Sequence, residues 1–388
     1  MLDRPADILF VHPSAELYGS DLQLIETIKA TNRNESVVLV LPQDGPLAHR
    51  IKDETDLTVD IQFVPTAVLR RSILAPKKIV KFLVESILAV RLARRTIVRN
   101  KAKLVFVNTL TIPGWIIAAK LARVRVVCHV HEAEENGSKL ALRVLTMPLF
   151  AADRVVVNSE SARSALKYAN PALLKKTTRI YNGVPLPKTP SNRPRSVPAA
   201  AAENLRADIV YIGRLSPRKG PDLLLEAAAE VIKLGYDLRI TMAGGAFAGY
   251  EWYRDDLVTR AQAADLAGRV KFLGYVDSPS HLYQNAHLAV VPSRLEPFGN
   301  TAVEAQMAGI PLIAAATQGL TEVVRADRDG LLFENGNSAD LALCIVNCIV
   351  NPQLALERAE RAQTRAMQIF SVERYAKDMR DLIDEVAK

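Results

Sequence analysis

The chain has 388 residues, 49% hydrophobic and 24% charged, which excludes a disordered or fibrous protein and leaves room for two domains of ordinary size. Three cysteines exclude a disulfide framework, and no run approaches the ~18 apolar residues that cross a bilayer. The net charge is +8 and uneven: from Arg70 to Lys103 eleven Lys/Arg meet a single acid, Glu85, a basic concentration that points to an anionic partner.

The first apolar run, residues 8–11, has strand length. Asp3, Arg4 and Asp7 interrupt the stretch before it, unlike a secretory leader, so the expectation is a cytoplasmic protein, soluble or peripheral at the inner membrane face. The turn Ser14 to Asp21 then leads into a helix over 22–29, and Gly19 in it lets a phosphate or an acceptor approach the helix end. Further strands are predicted at 37–41, 59–64, 104–107, 124–130, 155–158 and 179–181. Continuously apolar runs among them, rather than alternation, indicate burial on both faces.

Between them, Ile79, Leu83, Ile87 and Val90 share a helical face, with Arg94, Arg95 and Arg99 following. Residues 70–103 therefore read as a dock for an anionic membrane, worth roughly 1 kcal/mol per basic residue near the surface, against the plainer reading of a core helix with a solvated face. Nucleic acid is not expected, because Phe82 is the stretch's lone aromatic. His131 ends the strand 124–130 at its carboxyl end, whereas His129 lies deeper and reads as packed core. Cys128, Cys344 and Cys348 read as buried core thiols.

Pro185, Pro187, Pro190, Pro194 and Pro198 mark a boundary that no core element can continue through. The expected division is a domain over 1–185, a linker over 186–205, a second domain over 206–370 and a C-terminal helix over 371–388. In the second domain, strands are predicted at 209–212, 238–242, 270–273, 288–291, 311–314 and 330–333. Helices over 223–232 and 301–308 are stopped by Gly235 and Gly309. Strand alternating with helix predicts an α/β fold of parallel sheets with helices on both faces.

The most informative run is Glu296-Pro297-Phe298-Gly299-Asn300-Thr301-Ala302-Val303-Glu304, between a strand and a helix. Gly299 allows close backbone approach, the N–H groups after it sit at a helix start suited to phosphate, and Glu304 can accept two hydroxyl hydrogens, as a ribose diol offers. Glu296 can do the same for a sugar. Arg214 and Lys219 follow another strand, where open α/β sheets bind ligands, and two cations there can neutralise a diphosphate. Gly244-Gly245-Ala246-Phe247-Ala248-Gly249 is not the dinucleotide fingerprint, which disfavours a dehydrogenase.

With Gly213-Arg214-Leu215-Ser216-Pro217-Arg218-Lys219-Gly220, Ala243-Gly244-Gly245, Phe272-Leu273-Gly274-Tyr275-Val276 and Ala308-Gly309-Ile310-Pro311, this run resembles the retaining enzymes of glycosyltransferase family 4. The resemblance implies the GT-B fold: two Rossmann-like domains facing across a central cleft, with the C-terminal helix crossing back to the first. It implies a hexosyltransferase moving sugar from a nucleotide-diphosphate sugar, UDP- or GDP-linked, to an acceptor hydroxyl. Arg214 and Lys219 would take the diphosphate, Glu304 the ribose, Gly274, Tyr275 and Val276 the base, and Glu296 and His131 the sugar. Gly19, Phe298, Gly299, Asn300 and Thr301 would complete the donor site. No metal or other cofactor is implied, and Asp255-Asp256 falls in a helical pattern. The basic stretch adds a lipid-linked oligosaccharide or glycolipid as the expected acceptor, in surface-polysaccharide synthesis. The alternatives are a nucleotide-sugar epimerase of the same fold and a silent nucleotide-sugar-binding protein.

Overall fold

The computed structural model describes residues 5–31, 34–55, 58–69, 76–133, 138–186, 206–247 and 249–388, and side chains among these except in 76–86. Nearly all of the proline-rich linker, and residues 70–75 of the basic stretch, lie outside the described residues. The chain divides into two units, Met1–Gly183 with Val372–Lys388, and Val184–Ser371.

In the first unit the described strands are β1 (Ile8–Val11), β2 (Val37–Leu41), β3 (Val59–Phe63), β4 (Leu104–Val107), β5 (Arg125–Val130), β6 (Arg154–Val157) and β7 (Thr177–Arg179). They form one sheet in the order β3-β2-β1-β4-β5-β6-β7, parallel throughout. Successive residues feed two cores: Leu9 and Val11 pack on one face with Trp115 and Ile116, and Ile8 and Phe10 on the other. Burial on both faces holds for β1, β2 and β4 but not for the edge strand β3, which is partly exposed along its length.

The C-terminal helix Val372–Ala387 covers the second face. Tyr375, Met379, Leu382, Ile383 and Val386 are buried there with Phe10, Phe106 and Val127, each large side chain contributing about 1.5–3 kcal/mol. Tyr375 Oη lies 2.6 Å from Thr27 Oγ1, and a Cβ on Gly183 would come within 2.7 Å of Tyr375 Cβ. The tail therefore belongs to the first unit, as the GT-B expectation requires.

The expected apolar stripe of the basic helix, Pro76–Arg99, is corrected. Ile79 and Leu83 lie outside the described side chains; among the described ones Val90, Ala93, Thr96 and Ile97 face the core. Ile87 is 55% exposed and lies beside Leu88 and Leu92, also exposed, among the exposed arginines 91, 94, 95 and 99. The spacing of 3 and 4 was correctly helical, but Val90 and Ile87 point to opposite environments.

In the second unit β8 (Arg206–Ile212), β9 (Asp237–Ala243), β10 (Val270–Gly274), β11 (Leu288–Val291), β12 (Leu312–Ala315) and β13 (Leu331–Phe333) form a parallel sheet in the order β10-β9-β8-β11-β12-β13. Cys344 is another correction: it is half-buried, while Cys348, one turn on, faces the core. Burial pushes the two thiols up to about 11 and about 12, so neither is a thiolate near neutral pH. In each sheet the strand order reverses once, between β1 and β4 and between β8 and β11. At such a reversal the connections leave in opposite directions and open a crevice at the carboxyl ends of the strands.

Candidate active site

In the second unit the sequence-predicted residues gather around the β8/β11 reversal. Lys219, in the loop after β8, forms an ion pair with Glu296, in the loop after β11. The two side chains are 18% and 11% exposed. Ser293 Oγ donates to Glu296 Oε2 at 3.1 Å. Burial alone would raise the Glu296 carboxyl, but Lys219, then Arg218 and the serine hydroxyl, outweigh it and hold the group below its ordinary range. It is therefore an ionised acceptor. Arg218, which carries no expected role, also braces the loop by donating to the Leu295 carbonyl at 3.1 Å.

The loop reaches this geometry because two glycines permit it. Gly220 has φ +65°, and a Cβ there would lie 2.2 Å from the Pro292 carbonyl oxygen. Gly299 has φ +113°, and its Cβ would meet Leu320 Cδ2 at 2.6 Å. Only a residue without Cβ fits both the left-handed backbone and the contact. Gly299 caps the helix Asn300–Met307, whose first N–H groups carry the positive end of its dipole.

Glu304 lies in the second turn of that helix. Tyr283 Oη lies 3.3 Å from Glu304 Oε2 and 3.2 Å from the Thr301 carbonyl oxygen, sharing its single hydrogen between the two acceptors. Burial pushes the Glu304 carboxyl up to about 7, against the pull of Tyr283 and Lys219. It therefore changes charge near neutral pH while Glu296 does not. Tyr283 carried no signal in the sequence, since a tyrosine in a short helix is usually core.

Arg214 follows β8 with its guanidinium 5.6 Å from the centre of the Phe247 ring, and its carbonyl accepts from Tyr211 Oη at 2.7 Å. Gly274, at φ +69°, ends β10. Its carbonyl accepts from Gly244 N at 2.7 Å, and Tyr275 beside it is 60% exposed. Thus 274–276 sit at the same carboxyl edge, on the flank of the sheet. Phe298 is corrected: it is 2% exposed and packs edge-on against Phe370, so its side chain stiffens the loop from beneath and offers no face to a ligand.

In the first unit, polar residues end three adjacent strands: His12 after β1, Asn108 after β4 and His131 after β5. His131 Nε2 lies 3.0 Å from Asn108 Oδ1, and Asn108 Nδ2 lies 3.1 Å from His12 Nδ1. His12 in turn pairs with Asp21 through its Nε2, in the first turn of the helix Gly19–Lys29 that Gly19 opens. Burial, then the neighbouring His129 and His12, hold His131 well below the ordinary imidazole range. His129 is fully buried, edge-on to Phe106, the core histidine expected. Glu132 pairs with Thr109 and accepts from the His131 backbone N–H at 3.0 Å, tying two strand ends together. Among the described residues no three His, Cys, Asp or Glu side chains cluster as metal ligands.

Comparison with known proteins adds to this geometry. Residues 194–366 match the family model of glycosyl transferases group 1, and residues 24–188 match that of glycosyltransferase family 4. A D-inositol 3-phosphate glycosyltransferase of Mycobacterium sp. (strain KMS) is 33% identical over 211 residues, covering 54% of this chain and 47% of that protein. The chain spans about half the length of the curated relatives it matches. Among solved structures, HepE of Anabaena in complex with UDP-glucose is 26% identical, with a TM-score of 0.78 over 97% of this chain and 99% of that one. Sucrose-phosphate synthase of Thermosynechococcus elongatus, 21% identical with a TM-score of 0.73 over 98% of this chain and 99% of that one, shares the fold.

Proposed function

This chain belongs to glycosyltransferase family 4 and has the GT-B fold, and on that premise we propose that it is a retaining hexosyltransferase that uses a UDP- or GDP-sugar. One observation carries the reading most: Lys219 and Glu296 meet across the β8/β11 reversal, with Glu304 in the second turn of the helix that follows. A cation for the diphosphate, an ionised acceptor for sugar hydroxyls and a carboxyl for a ribose diol thus supply one group for each of three parts of a nucleotide-sugar. That a related structure holds UDP-glucose supports a uridine donor.

In this reading Lys219, Arg214 and the first N–H groups of the helix Asn300–Met307 stabilise the negative charge that grows on the diphosphate as the glycosidic C–O bond breaks. Lys219 is already oriented by Glu296, so little reorganisation is left for the reaction itself. The acceptor hydroxyl attacks from the face the phosphate leaves, forms the new C–O bond, and gives its proton to the departing phosphate oxygen. Glu296 and His131 hold the sugar, and Gly274, Tyr275 and Val276 hold the base.

The acceptor in this proposal is a lipid-linked oligosaccharide or glycolipid at the inner face of a membrane, in surface-polysaccharide synthesis. The exposed Ile87, Leu88 and Leu92 among arginines support it, because an apolar strip flanked by cations binds an anionic bilayer surface. Co-sedimentation with phosphatidylglycerol vesicles, but not neutral ones, is the expected result.

The donor is tested by a melting-temperature panel of UDP-, GDP-, ADP- and dTDP-sugars, since a ligand that binds only the folded chain raises its melting point. A shift with UDP- or GDP-sugars is expected, and no shift with any of the four would refute the donor assignment. Incubating the donor alone separates transferase from epimerase, which would return a new sugar isomer.

A further inference from the structure

The chain of polar side chains Asp21, His12, Asn108 and His131 is unused by the sugar-transfer reading except at its last member. His12, Asp21 and Asn108 are 1%, 1% and 0% exposed, and each comes from a different element. Burying three polar groups at the ends of a sheet is costly unless each finds partners, and here each does.

The direction of every bond in the chain follows from one backbone carbonyl. Ser20 O can only accept, and it lies 3.2 Å from Asn108 Nδ2. The amide nitrogen of Asn108 therefore faces Ser20 and His12, and its oxygen faces His131. An amide oxygen cannot donate, so His131 Nε2 carries the hydrogen in that 3.0 Å bond. On the other side, Asn108 Nδ2 gives its second hydrogen to His12 Nδ1, so the His12 hydrogen sits on Nε2, where the Asp21 carboxylate accepts it. Asp21 is fixed in turn, because its other oxygen accepts from Tyr18 N at 2.7 Å.

The same logic settles the far nitrogen of His131. A neutral imidazole with its hydrogen on Nε2 has a lone pair on Nδ1. His131 is only partly buried, and its Nδ1 makes no hydrogen bond among the described residues.

We propose that Asp21, His12 and Asn108 are positioning residues that lock His131 as the Nε2–H tautomer, so that its Nδ1 lone pair reads a hydroxyl hydrogen on the sugar substrate. The proposal rests on the reading of His131 as a sugar contact and adds the polarity of that contact: His131 accepts and does not donate. A sugar whose hydroxyl at that position is replaced by fluorine, which cannot donate, is a poor substrate. The three residues touch no substrate themselves.

The test is long-range proton–nitrogen NMR on the full chain with 15N-histidine, alongside transfer kinetics. In the wild type His131 shows a protonated Nε2 and a bare Nδ1. Asn108→Asp puts a carboxylate beside Nε2, draws a second proton onto His131 and removes the bare-nitrogen signal. Transfer kcat falls about tenfold, the worth of one neutral hydrogen bond, with acceptor KM unchanged. If Asn108→Asp does not fold, Asp21→Asn serves, since His12 and Tyr18 N bond to opposite carboxylate oxygens and an amide keeps an acceptor at only one of those positions. That change frees the His12 tautomer and broadens the His131 signals.

A wild-type His131 protonated on Nδ1, or a His131 spectrum unchanged in the folded variant, overturns the relay. Full transfer by His131→Ala overturns the sugar-contact reading, and with it the substrate half of the proposal, whatever the tautomer. The spectrum needs no substrate, so the two failures are told apart.

Discussion

The two units hold their functional side chains by different physics. In the second, Lys219 and Glu296 are charged, and the loop is set by glycines at φ +65° and +113°. In the first, His12, Asn108 and His131 are joined by hydrogen bonds of fixed direction, and burial keeps His131 neutral. A diphosphate needs charge, which tolerates small displacements because Coulomb energy falls slowly with distance. A sugar hydroxyl needs direction, which only oriented donors and acceptors supply. The ionic site should therefore fail by loss of charge, and the neutral site by loss of orientation.

The largest break in that comparison is expected at Lys219. Lys219→Ala removes one stabilising charge from the leaving group and should lower kcat/KM by about a hundredfold or more. It also leaves the buried Glu296 carboxylate without its lysine partner, which costs about 3 kcal/mol of stability. Adding Glu296→Gln removes the stranded charge, so chemical denaturation of the double variant should recover most of that loss while transfer stays low. Recovery of transfer as well would mean that the pair is structural.

Gly299→Ala should have the next largest effect. A methyl group at φ +113° adds backbone strain of about 1–3 kcal/mol and collides with Leu320 Cδ2. The helix start then moves, and donor affinity measured by calorimetry should weaken while the first unit, followed by hydrogen exchange, is unaffected.

The smallest effect sharpens the contrast between the two acids. The Glu304 carboxyl ionises at about 7 in the fold against an ordinary 4.5, so the folded state binds its proton more tightly than the unfolded one. That preference stabilises the wild type at low pH and is lost as pH rises from about 4.5 to about 7. Glu304→Gln does not titrate. Its melting temperature relative to wild type should climb between pH 5 and 7 and then level off. Glu296→Gln should show no such climb, because Lys219 holds that carboxyl low.

Much of the second unit was legible because its chemistry is local in sequence. The run from Glu296 to Glu304 carries the acid, the glycine, the helix start and the second acid within nine residues, and the cation that pairs with its first acid comes from one other loop. Strand positions were legible too, since continuous apolar runs mark buried parallel strands, while the edge strands β3, β7 and β10 are partly exposed. The polar chain of the first unit was not legible. His12, Asn108 and His131 each follow an apolar run, but only the strand order β1-β4-β5 brings residues 12, 108 and 131 together, and no local pattern states that order. Phe298 was misread for the opposite reason: a motif marks a backbone path, and the side chain at any one position can face away from the ligand.

The account stands on a diphosphate held by Lys219, and calorimetric titration with whichever nucleotide-sugar raises the melting point tests this most directly. Wild-type chain should bind it, and the folded Lys219→Ala/Glu296→Gln variant should bind at least thirtyfold more weakly, about 2 kcal/mol. Equal affinity in the two proteins would contradict the account at its root.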